Sequence, residues 1–529
     1  MKNMRGFEAT SARRIAADLS STNRIVMGSA VISALAFVWS YRFLPMQDWP
    51  DWIVQGTLFA DALRNEVAAP YSIKHGPVPN VISSICIGLL SLLLHPETAG
   101  KLVLSSYVVG SAFAAYYLLR DTRAIVPFGI LVASLITLTS FPFFHGEINY
   151  ALGLMVLYAG QGFLLRRTAR HDVRALVGVL AFTTVIFFCH GACYALWVMF
   201  LVGFAWTARN WKINVGIAVA MLPSFVLTVL YTLSKTVEAG AVVQGGSPLE
   251  IVTGFPKKLW LVFKFLAPFQ GFYPFLDLRL AWVLVAGNFV ALGFVLFIVV
   301  RWIRTPSSSD DPGLRVIRNT LLLYGVAFVL APQFIGGLLN PAERFVLPTF
   351  HLLLAALPSL RPQPDPASRL WHTRIGLIVL ALQAAYLHGY GGFVSRKLEV
   401  AYAQMHEYAV QPTSAVLHES HFRYEGKAKV PPRPLAWQLL PLHFPMLRLT
   451  YYANREVGRA LPIFETGQFR STAYRVPNSA KAVAAITDGG PIIIVGRPAG
   501  NKTVARLLPK HFEVLRSDDS SFVVMGDRF

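Results

Sequence analysis

Long runs of apolar residues recur between about residue 25 and residue 394, separated by short segments that carry charge, proline or glycine. Many of these runs reach about 18 residues, the length at which an α-helix crosses the roughly 30 Å hydrocarbon core of a bilayer. The pattern therefore predicts an all-α polytopic membrane domain over residues 25–394, preceded by an N-terminal tail of residues 1–24.

The apolar runs predict eleven crossings: 25–44, 100–119, 124–141, 148–165, 174–190, 192–208, 213–233, 280–303, 318–338, 345–360 and 374–394. Residues 80–94 are also apolar, but this run is short for a crossing and ends in His95-Pro96. We therefore interpret it as a re-entrant or interfacial helix. No small-residue cleavage site follows the first run, which favours an uncleaved span over a signal peptide.

Composition and charge support a membrane protein. Charged residues make up only 14% of the chain and the mean hydropathy is +0.49, which excludes an ordinary soluble protein. Lys and Arg number 48 against 28 Asp and Glu, a formal net charge of +20. In a soluble protein this excess would indicate nucleic acid, but in a membrane protein it reflects topology, because cytoplasmic loops collect Lys and Arg. We expect no nucleic-acid partner.

The basic loops predict the orientation of the chain, because they should share the cytoplasmic side. With eleven crossings they all do so: 120–123, 166–174, 209–212, 301–318 and 361–374. The N-terminal tail is then cytoplasmic and residues 395–529 lie outside the cytoplasm.

The last part of the chain, residues 395–529, is more polar and contains proline-rich stretches. Short β-branched runs near 491–496, 512–515 and 521–525, with a helical stretch at 502–508, predict a small extracytoplasmic α/β domain. The three cysteines of the chain all lie in apolar segments, so neither a disulfide framework nor a zinc site is expected.

Four irregular segments share the predicted outer side: 45–78, 140–149, 234–279 and 339–344. The first carries Asp48 and Asp51, three residues apart and flanked by tryptophans. On a helical turn such carboxylates share a face, where they can accept a proton from a hydroxyl or bind a cation. The alternative is that the tryptophans anchor the interface and the aspartates are merely solvated.

Polar residues recur further along these outer segments. Lys74 and His75 follow a proline-containing turn and are candidates to face an anionic ligand; the alternative is a solvated loop. His145, Glu147 and Asn149 interrupt an otherwise apolar and aromatic stretch. Ionisable groups at membrane depth are costly unless they line a wet cavity or find partners, which makes these residues site candidates. The alternative is a loop that merely breaches the surface.

The last outer segment carries Glu343 and Arg344 directly before a predicted crossing. A guanidinium group offers two parallel donors to phosphate oxygens, so Arg344 is a candidate phosphate ligand. The alternative is a local Glu343–Arg344 ion pair at a helix start. We interpret His190, between two predicted crossings, as a hydrogen-bonded turn residue rather than a ligand.

The order and placement of these features over residues 24–394 resemble the C-type (GT-C) glycosyltransferase superfamily, polytopic enzymes that use lipid-phosphate-linked sugars outside the cytoplasm. The shared features are an acidic first outer loop with Asp48 and Asp51, an acid in the second loop, Glu147, and Arg344 at the start of a late crossing. The resemblance implies a membrane glycosyltransferase that moves a sugar from a lipid-phosphate-linked donor to a glycan, lipid or protein acceptor.

The resemblance also implies roles for the candidate residues. Asp51 is the expected base, with Asp48 as its alternate, and Glu147 and His145 would orient the acceptor or polarise the base. Arg344 would bind the leaving phosphate. A glycosyl phosphate already has a good leaving group, so one carboxylate and one cation are sufficient for this chemistry.

Supporting roles fall to four further residues. Lys74 and His75 would add positive charge at the donor phosphate, and Asn149 and Glu343 would support the acceptor side. In the family the first-loop acids also serve as metal ligands, so a divalent cation, Mg²⁺ or Mn²⁺, is the implied cofactor. The two first-loop acids of this chain are spaced more widely than a strict Asp-x-Asp motif, which leaves the metal open.

The expected location is the bacterial cytoplasmic membrane, with the site facing the periplasm. The expected role is in cell-envelope polysaccharide biosynthesis.

Three other classes of protein stay open. A polysaccharide polymerase or ligase would use the same lipid-phosphate substrates. A transporter or flippase would also place charges in wet cavities, although no internal repeat is evident. A non-catalytic assembly protein would use residues 395–529 to bind its partner.

Overall fold

The computed structural model describes residues 27–46, 49–66, 71–73, 77–119, 142–143, 146–167, 173–208, 210–239, 311–332, 334–335, 338–339, 341–356, 387–409, 415–418, 469–471, 492–496, 512–517 and 522–526, with single positions between 256 and 300 and between 374 and 385. Two predicted crossings, 124–141 and most of 280–303, lie outside these described residues, and the last, 374–394, is described only in part.

Helices make up most of the described part of the chain. They are α1 (Met27–Ser40), α2 (Trp49–Leu63), α3 (Ile82–Ser91), α4 (Pro96–Leu119), α5 (Ile148–Leu165), α6 (Val173–Cys189), α7 (Gly191–Ala208), α8 (Trp211–Ala239), α9 (Pro312–Leu330), α10 (Val346–Ala356) and α11 (Gly392–Ala409). A 3₁₀ turn, Pro341–Phe345, leads directly into α10, and a π-helical turn, Leu387–Gly391, leads into α11.

Apolar side chains cover the outside of several helices. Within the described residues, five helices are long and apolar enough to cross a membrane: α4, α5, α7, α9 and the Trp211–Leu233 part of α8. The apolar helices α1, α3 and α6 are shorter. On α8, Leu222, Phe225 and Leu233 are each more than half exposed. Exposed apolar surface on this scale is explained by contact with lipid, so the protein is a helical membrane protein.

Helix α3 has 10 residues, which at 1.5 Å per residue spans only about 15 Å. Arg42, just after α1, forms an ion pair with Glu97 in the first turn of α4 at 2.8 Å. The end of α1 and the start of α4 therefore lie at one level, with the short helices α2 and α3 between them in sequence. This arrangement supports the interpretation of residues 80–94 as a segment that does not cross.

Two glycines let α2 and α3 approach closely. A Cβ atom added at Gly88 would lie 2.8 Å from the carbonyl oxygen of Gly56 and 2.6 Å from the Phe59 ring, so a larger side chain has no room there. Beside this contact the Ser84 hydroxyl donates to the Gln55 side-chain oxygen at 3.1 Å. The two helices form one packed pair, and the N-terminal end of α2 lies at the candidate site.

Basic residues lie together at the opposite end of the bundle. The Arg166 guanidinium, at the end of α5, lies 3.7 Å from the centre of the Tyr117 ring at the end of α4. Asn319 near the start of α9 donates to the Thr207 hydroxyl at the end of α7 at 3.0 Å. Gln161 of α5 donates to the Tyr324 hydroxyl of α9 at 3.2 Å, and a Cβ atom added at Gly313, near the start of α9, would lie 4.0 Å from the Leu165 carbonyl at the end of α5. The two helices therefore run in opposite directions. The basic ends of these helices thus share one side.

The C-terminal part returns to the end of the bundle where α1 ends. Glu399 of α11 accepts a hydrogen bond from the backbone N–H of Arg42 at 2.6 Å, and the Arg42 guanidinium lies 4.6 Å from the centre of the Tyr402 ring. Strand β1 (Tyr71–Ile73) pairs antiparallel with β5 (Phe469–Ser471). The first outer segment and the C-terminal part are therefore in direct contact.

The remaining strands form two sheets. A small hairpin joins β2 (Phe334–Ile335) and β3 (Leu338–Leu339) just before the 3₁₀ turn. A second sheet has the order β4-β6-β8-β7, where β4 is Ala415–His418, β6 is Ile492–Gly496, β7 is Phe512–Ser517 and β8 is Phe522–Gly526. Its β4 and β6 strands are parallel and its other pairs antiparallel. The predicted helix at 502–508 lies outside the described residues, so the α/β domain stays a prediction.

Candidate functional site

The first and second outer segments meet at the start of α2. The Trp52 indole N–H donates to the Gly146 carbonyl at 2.6 Å. Asp51 precedes Trp52 in the first turn of α2 and is half-buried, and Glu147 follows Gly146. Asp51 and Glu147 are the sequence neighbours of the two bonded residues. This single hydrogen bond therefore brings them into one region of the protein, although their segments are about a hundred residues apart.

Gly146 allows the chain to turn sharply into α5. Its φ angle is 79°, in the left-handed region that glycine adopts without a steric penalty. The turn is closed by the Glu147 N–H, which donates to the Pro142 carbonyl at 2.9 Å. Glu147 occupies the N-cap position of α5, but its side chain makes no capping hydrogen bond. That side chain is instead directed to Arg344.

The central feature of the site is an ion pair between Glu147 and Arg344. Arg344 Nη2 donates to Glu147 Oε1 at 2.7 Å, and Nη1 contacts Oε2. The carboxylate thus engages both terminal nitrogens of the guanidinium. The Arg344 side chain is only 7% exposed and the Glu147 side chain only 11% exposed. Burial lowers the local dielectric constant, so charges attract and repel one another more strongly here than in water.

Two further groups surround the guanidinium. Glu343 Oε1 lies 3.3 Å from Arg344 Nη2, and the Tyr150 ring centre lies 4.7 Å from the guanidinium carbon. The Tyr150 hydroxyl also donates to the Arg344 carbonyl at 2.9 Å. Arg344 is therefore restrained through both its side chain and its backbone. Its described contacts include two carboxylates, Glu147 and Glu343, so these three side chains together carry two negative charges and one positive charge.

Tyr150 is a site residue that the sequence analysis missed. It lies three residues after Glu147, a spacing that places two residues on the same side of a helix. That spacing was a usable signal in the sequence. The His190 ring centre lies 5.1 Å from the Tyr150 ring centre, in an edge-on contact. His190 Nδ1 accepts from the Ala192 N–H at 3.1 Å, as its interpretation as a turn residue requires.

Asn149 connects three helices beside the site. Its side-chain oxygen accepts from the Ser83 N–H at 2.8 Å, and its amide donates to the Asn80 carbonyl at 2.5 Å. The Asn80 side chain in turn accepts from the Gly191 N–H at 3.2 Å. These bonds join the starts of α3, α5 and α7, and they favour the supporting role for Asn149 over contact with an acceptor.

A buried lysine from the third outer segment, 234–279, lies at the end of α9. Lys258 Nζ donates to the Val329 carbonyl, one of the last of the helix. A cation is favourable there because the helix dipole is negative at its C-terminus. Burial nevertheless lowers the pKa of the Lys258 ammonium from its ordinary value. Nothing in the local sequence around Lys258 indicates that it contacts α9, so there was no sequence-based reason to select it.

Several predicted site residues fall outside the described part of the chain: Asp48, Lys74, His75 and His145. Among the residues that the structure describes, no group of three or more His, Cys, Asp or Glu side chains is arranged to bind a metal ion. The Mg²⁺ or Mn²⁺ site expected at the two first-loop acids includes an undescribed residue, Asp48, so it stays a prediction.

Comparison with protein-family models, with curated proteins and with solved structures finds no match to this chain. The resemblance to the C-type glycosyltransferases accordingly depends on the residues themselves and on their arrangement.

Proposed function

We propose that the protein is an integral membrane glycosyltransferase that moves a sugar from a lipid-phosphate-linked donor to a glycan, lipid or protein acceptor. The observation that carries the proposal is the buried Arg344, which presents both terminal nitrogens to an anion. It lies where three outer segments meet, since Glu147 contacts it and the neighbouring Gly146 accepts from Trp52. A bidentate guanidinium is suited to phosphate oxygens, and partial burial strengthens its effect.

The chemistry required of these residues is limited. The bond between the sugar and the phosphate oxygen breaks, and its electron pair leaves with the lipid phosphate, whose new charge Arg344 stabilises. The acceptor hydroxyl bonds to the sugar and gives its proton to Asp51, with Asp48 as the alternate base. His145 and Glu147 orient the acceptor, and Lys74 and His75 add positive charge at the phosphate. A divalent cation, where one binds, would stabilise the same phosphate charge.

The proposed topology has eleven crossings, a cytoplasmic N-terminus and an extracytoplasmic α/β domain formed by residues 395–529. Support comes from the two ends of the bundle. Arg42 contacts both Glu97 and Glu399 at the end where α1 finishes, and basic residues such as Arg166 lie at the other end. The positive-inside rule assigns the basic end to the cytoplasm. In a bacterium, the site would then face the periplasm.

A transfer assay tests the function directly. The full chain is reconstituted in proteoliposomes and given a panel of radiolabelled polyprenyl-phosphate monosaccharides, with and without acceptor-bearing membrane extract. We expect one donor to yield labelled product together with free polyprenyl phosphate. Product of increasing length would instead indicate a polymerase, and label that crosses the bilayer without release of polyprenyl phosphate would indicate a transporter. Either result contradicts the proposal, as does no reaction with the whole panel.

Variants of Arg344 connect that activity to the site. We expect Arg344→Gln to lose about a hundredfold or more in transfer, because a donor to a developing negative charge is removed. Arg344→Lys keeps the charge but loses the two-pronged geometry, and should retain intermediate activity with weaker donor affinity. Arg42→Gln is the matched control, since Arg42 is also an ion-paired arginine but its ion pair is with Glu97 rather than with a site carboxylate. Unchanged donor affinity in both Arg344 variants contradicts the phosphate role.

A further inference from the structure

Glu147 binds Arg344 in the way that a phosphate group would bind it. Its two oxygens engage Nη1 and Nη2 of one guanidinium, and phosphate uses the same pair of parallel donors. We propose that Glu147 is a built-in substitute for the donor phosphate. Glu147 pairs with Arg344 before the donor binds, and the phosphate of the lipid-linked donor then displaces it. This inference rests on the proposed function, because it names the event that begins the reaction.

Within the part of the chain that the structure describes, two other groups hold Arg344 while its Nη1–Nη2 edge faces Glu147. Tyr150 covers the guanidinium at 4.7 Å and binds the Arg344 backbone, while Glu343 lies at 3.3 Å from Nη2. These contacts keep Arg344 in place whether or not Glu147 is bound. Glu147 reaches Arg344 through a flexible side chain that makes no capping bond with its own helix, so it can turn away while α5 stays intact.

Charge also favours exchange over simple addition. The guanidinium already has two carboxylate partners, Glu147 and Glu343. A phosphate added beside both would place a third anion against the same guanidinium in a buried site, where like charges repel strongly. Displacement of Glu147 avoids this, since the phosphate then takes over the contacts that Glu147 gives up.

Release of Glu147 has a consequence for the acceptor. Gly146, the preceding residue, accepts a hydrogen bond from Trp52, the neighbour of Asp51. A Glu147 carboxylate released from Arg344 would lie in the region of the proposed base, where it can accept a hydrogen bond from the acceptor hydroxyl. Donor binding would thereby prepare the acceptor position, so that Glu147 acts as a positioning residue only when the donor is present.

The experiment compares binding of polyprenyl monophosphate, the lipid product, to the full chain in nanodiscs. Glu147→Gln removes the competing charge but retains the shape of the side chain. We expect it to bind the lipid about tenfold more tightly, equivalent to about 1.4 kcal/mol, while sugar transfer becomes slower. Glu343→Gln is the matched control: it removes the other carboxylate, whose contact with Arg344 is longer, and should change affinity less. Glu147→Asp keeps the charge on a shorter side chain and should fall between the wild-type protein and Glu147→Gln.

If the ion pair were purely structural, its loss would disorder Arg344 and weaken lipid binding, which is the opposite of the tighter binding expected for Glu147→Gln. Equal or weaker binding by folded Glu147→Gln therefore overturns the exchange, as does a larger effect in Glu343→Gln. The wild-type protein offers an independent measurement if the variants do not fold. Polyprenyl monophosphate should shift the infrared stretching band of an arginine-bound carboxylate, and an unchanged band overturns the exchange.

The two proposals fail in different ways. A wild-type protein that binds no polyprenyl phosphate and transfers no sugar contradicts the proposed function. A wild-type protein that does both, but shows no tightening in Glu147→Gln, contradicts only the exchange.

Discussion

At the scale of single residues, the site combines partners from distant parts of the chain. Arg344 has a neighbour in sequence, Glu343, at 3.3 Å and a distant partner, Glu147, at 2.7 Å. From the sequence alone, a local Glu343–Arg344 ion pair was the alternative to a phosphate role for Arg344. The structure contains that pair, but the closer contact, a hydrogen bond from Nη2, is with Glu147. Arg344 is therefore more than a local cap at a helix start.

Asp51 provides the test of the base at this scale. We expect Asp51→Asn to fold and insert normally but to lose transfer by about 10²–10⁴-fold, because the amide retains the shape but cannot accept the acceptor proton. Asp48→Asn should cause a smaller loss of transfer. The measurement is labelled product at matched protein levels in membranes. Normal activity in Asp51→Asn would exclude it as the base, and equal losses in both variants would favour a cation shared between them.

At the scale of elements, short helices and turns position the site. The pair α2 and α3 is held by the close approach at Gly56 and Gly88, and the Trp52–Gly146 hydrogen bond places the first turn of α2 beside the turn that precedes α5. The 3₁₀ turn before α10 carries both Glu343 and Arg344. Hydropathy is a local property and indicates membrane-spanning helices in general, but it predicted a crossing at 318–338 where the structure has α9 at Pro312–Leu330 followed by the β2–β3 hairpin. It contains little information about such turns.

A substitution at Gly146 tests whether the turn before α5 requires glycine. Gly146→Ala places a Cβ on a residue with φ of 79°, and should lower the free energy of unfolding by about 1–2 kcal/mol. We expect a lower unfolding temperature in detergent and a loss of transfer, because both Glu147 and the Trp52 contact shift. Gly325→Ala in α9 is the control: its added Cβ meets no atom within 4 Å, so stability should be unchanged or slightly higher. Equal unfolding temperatures for Gly146→Ala and the wild-type protein would show that the turn tolerates a side chain.

At the scale of the whole molecule, the described contacts divide the bundle into two ends. The candidate site, the end of α1 and α11 lie at one end, and strand β5 of the C-terminal part pairs with β1 of the first outer segment. Residues near 71–73 and residues 469–471 must therefore share one side of the membrane. This constraint is independent of the count of crossings.

Reporter fusions test the sidedness. We expect an alkaline phosphatase reporter at Gly76 and another at the C-terminus to be active, because both positions are assigned outside the cytoplasm. A fusion within the basic loop at 209–212 is the matched control and should be inactive, since Lys and Arg collect on the cytoplasmic side. Opposite results for Gly76 and the C-terminus would contradict the topology and the pairing of β1 with β5.

Local properties of the chain were sufficient to predict its helical membrane character and to select Glu147 and Arg344 as candidates. The length of an apolar run and the cost of a charge at membrane depth are both properties of short segments. Only the tertiary structure showed that Glu147 and Arg344, 197 residues apart, form one pair, that Tyr150 covers it, and that Lys258 contacts the end of α9. The choice of a partner depends on how helices pack and on distances of a few ångströms, and neither is encoded in any one segment.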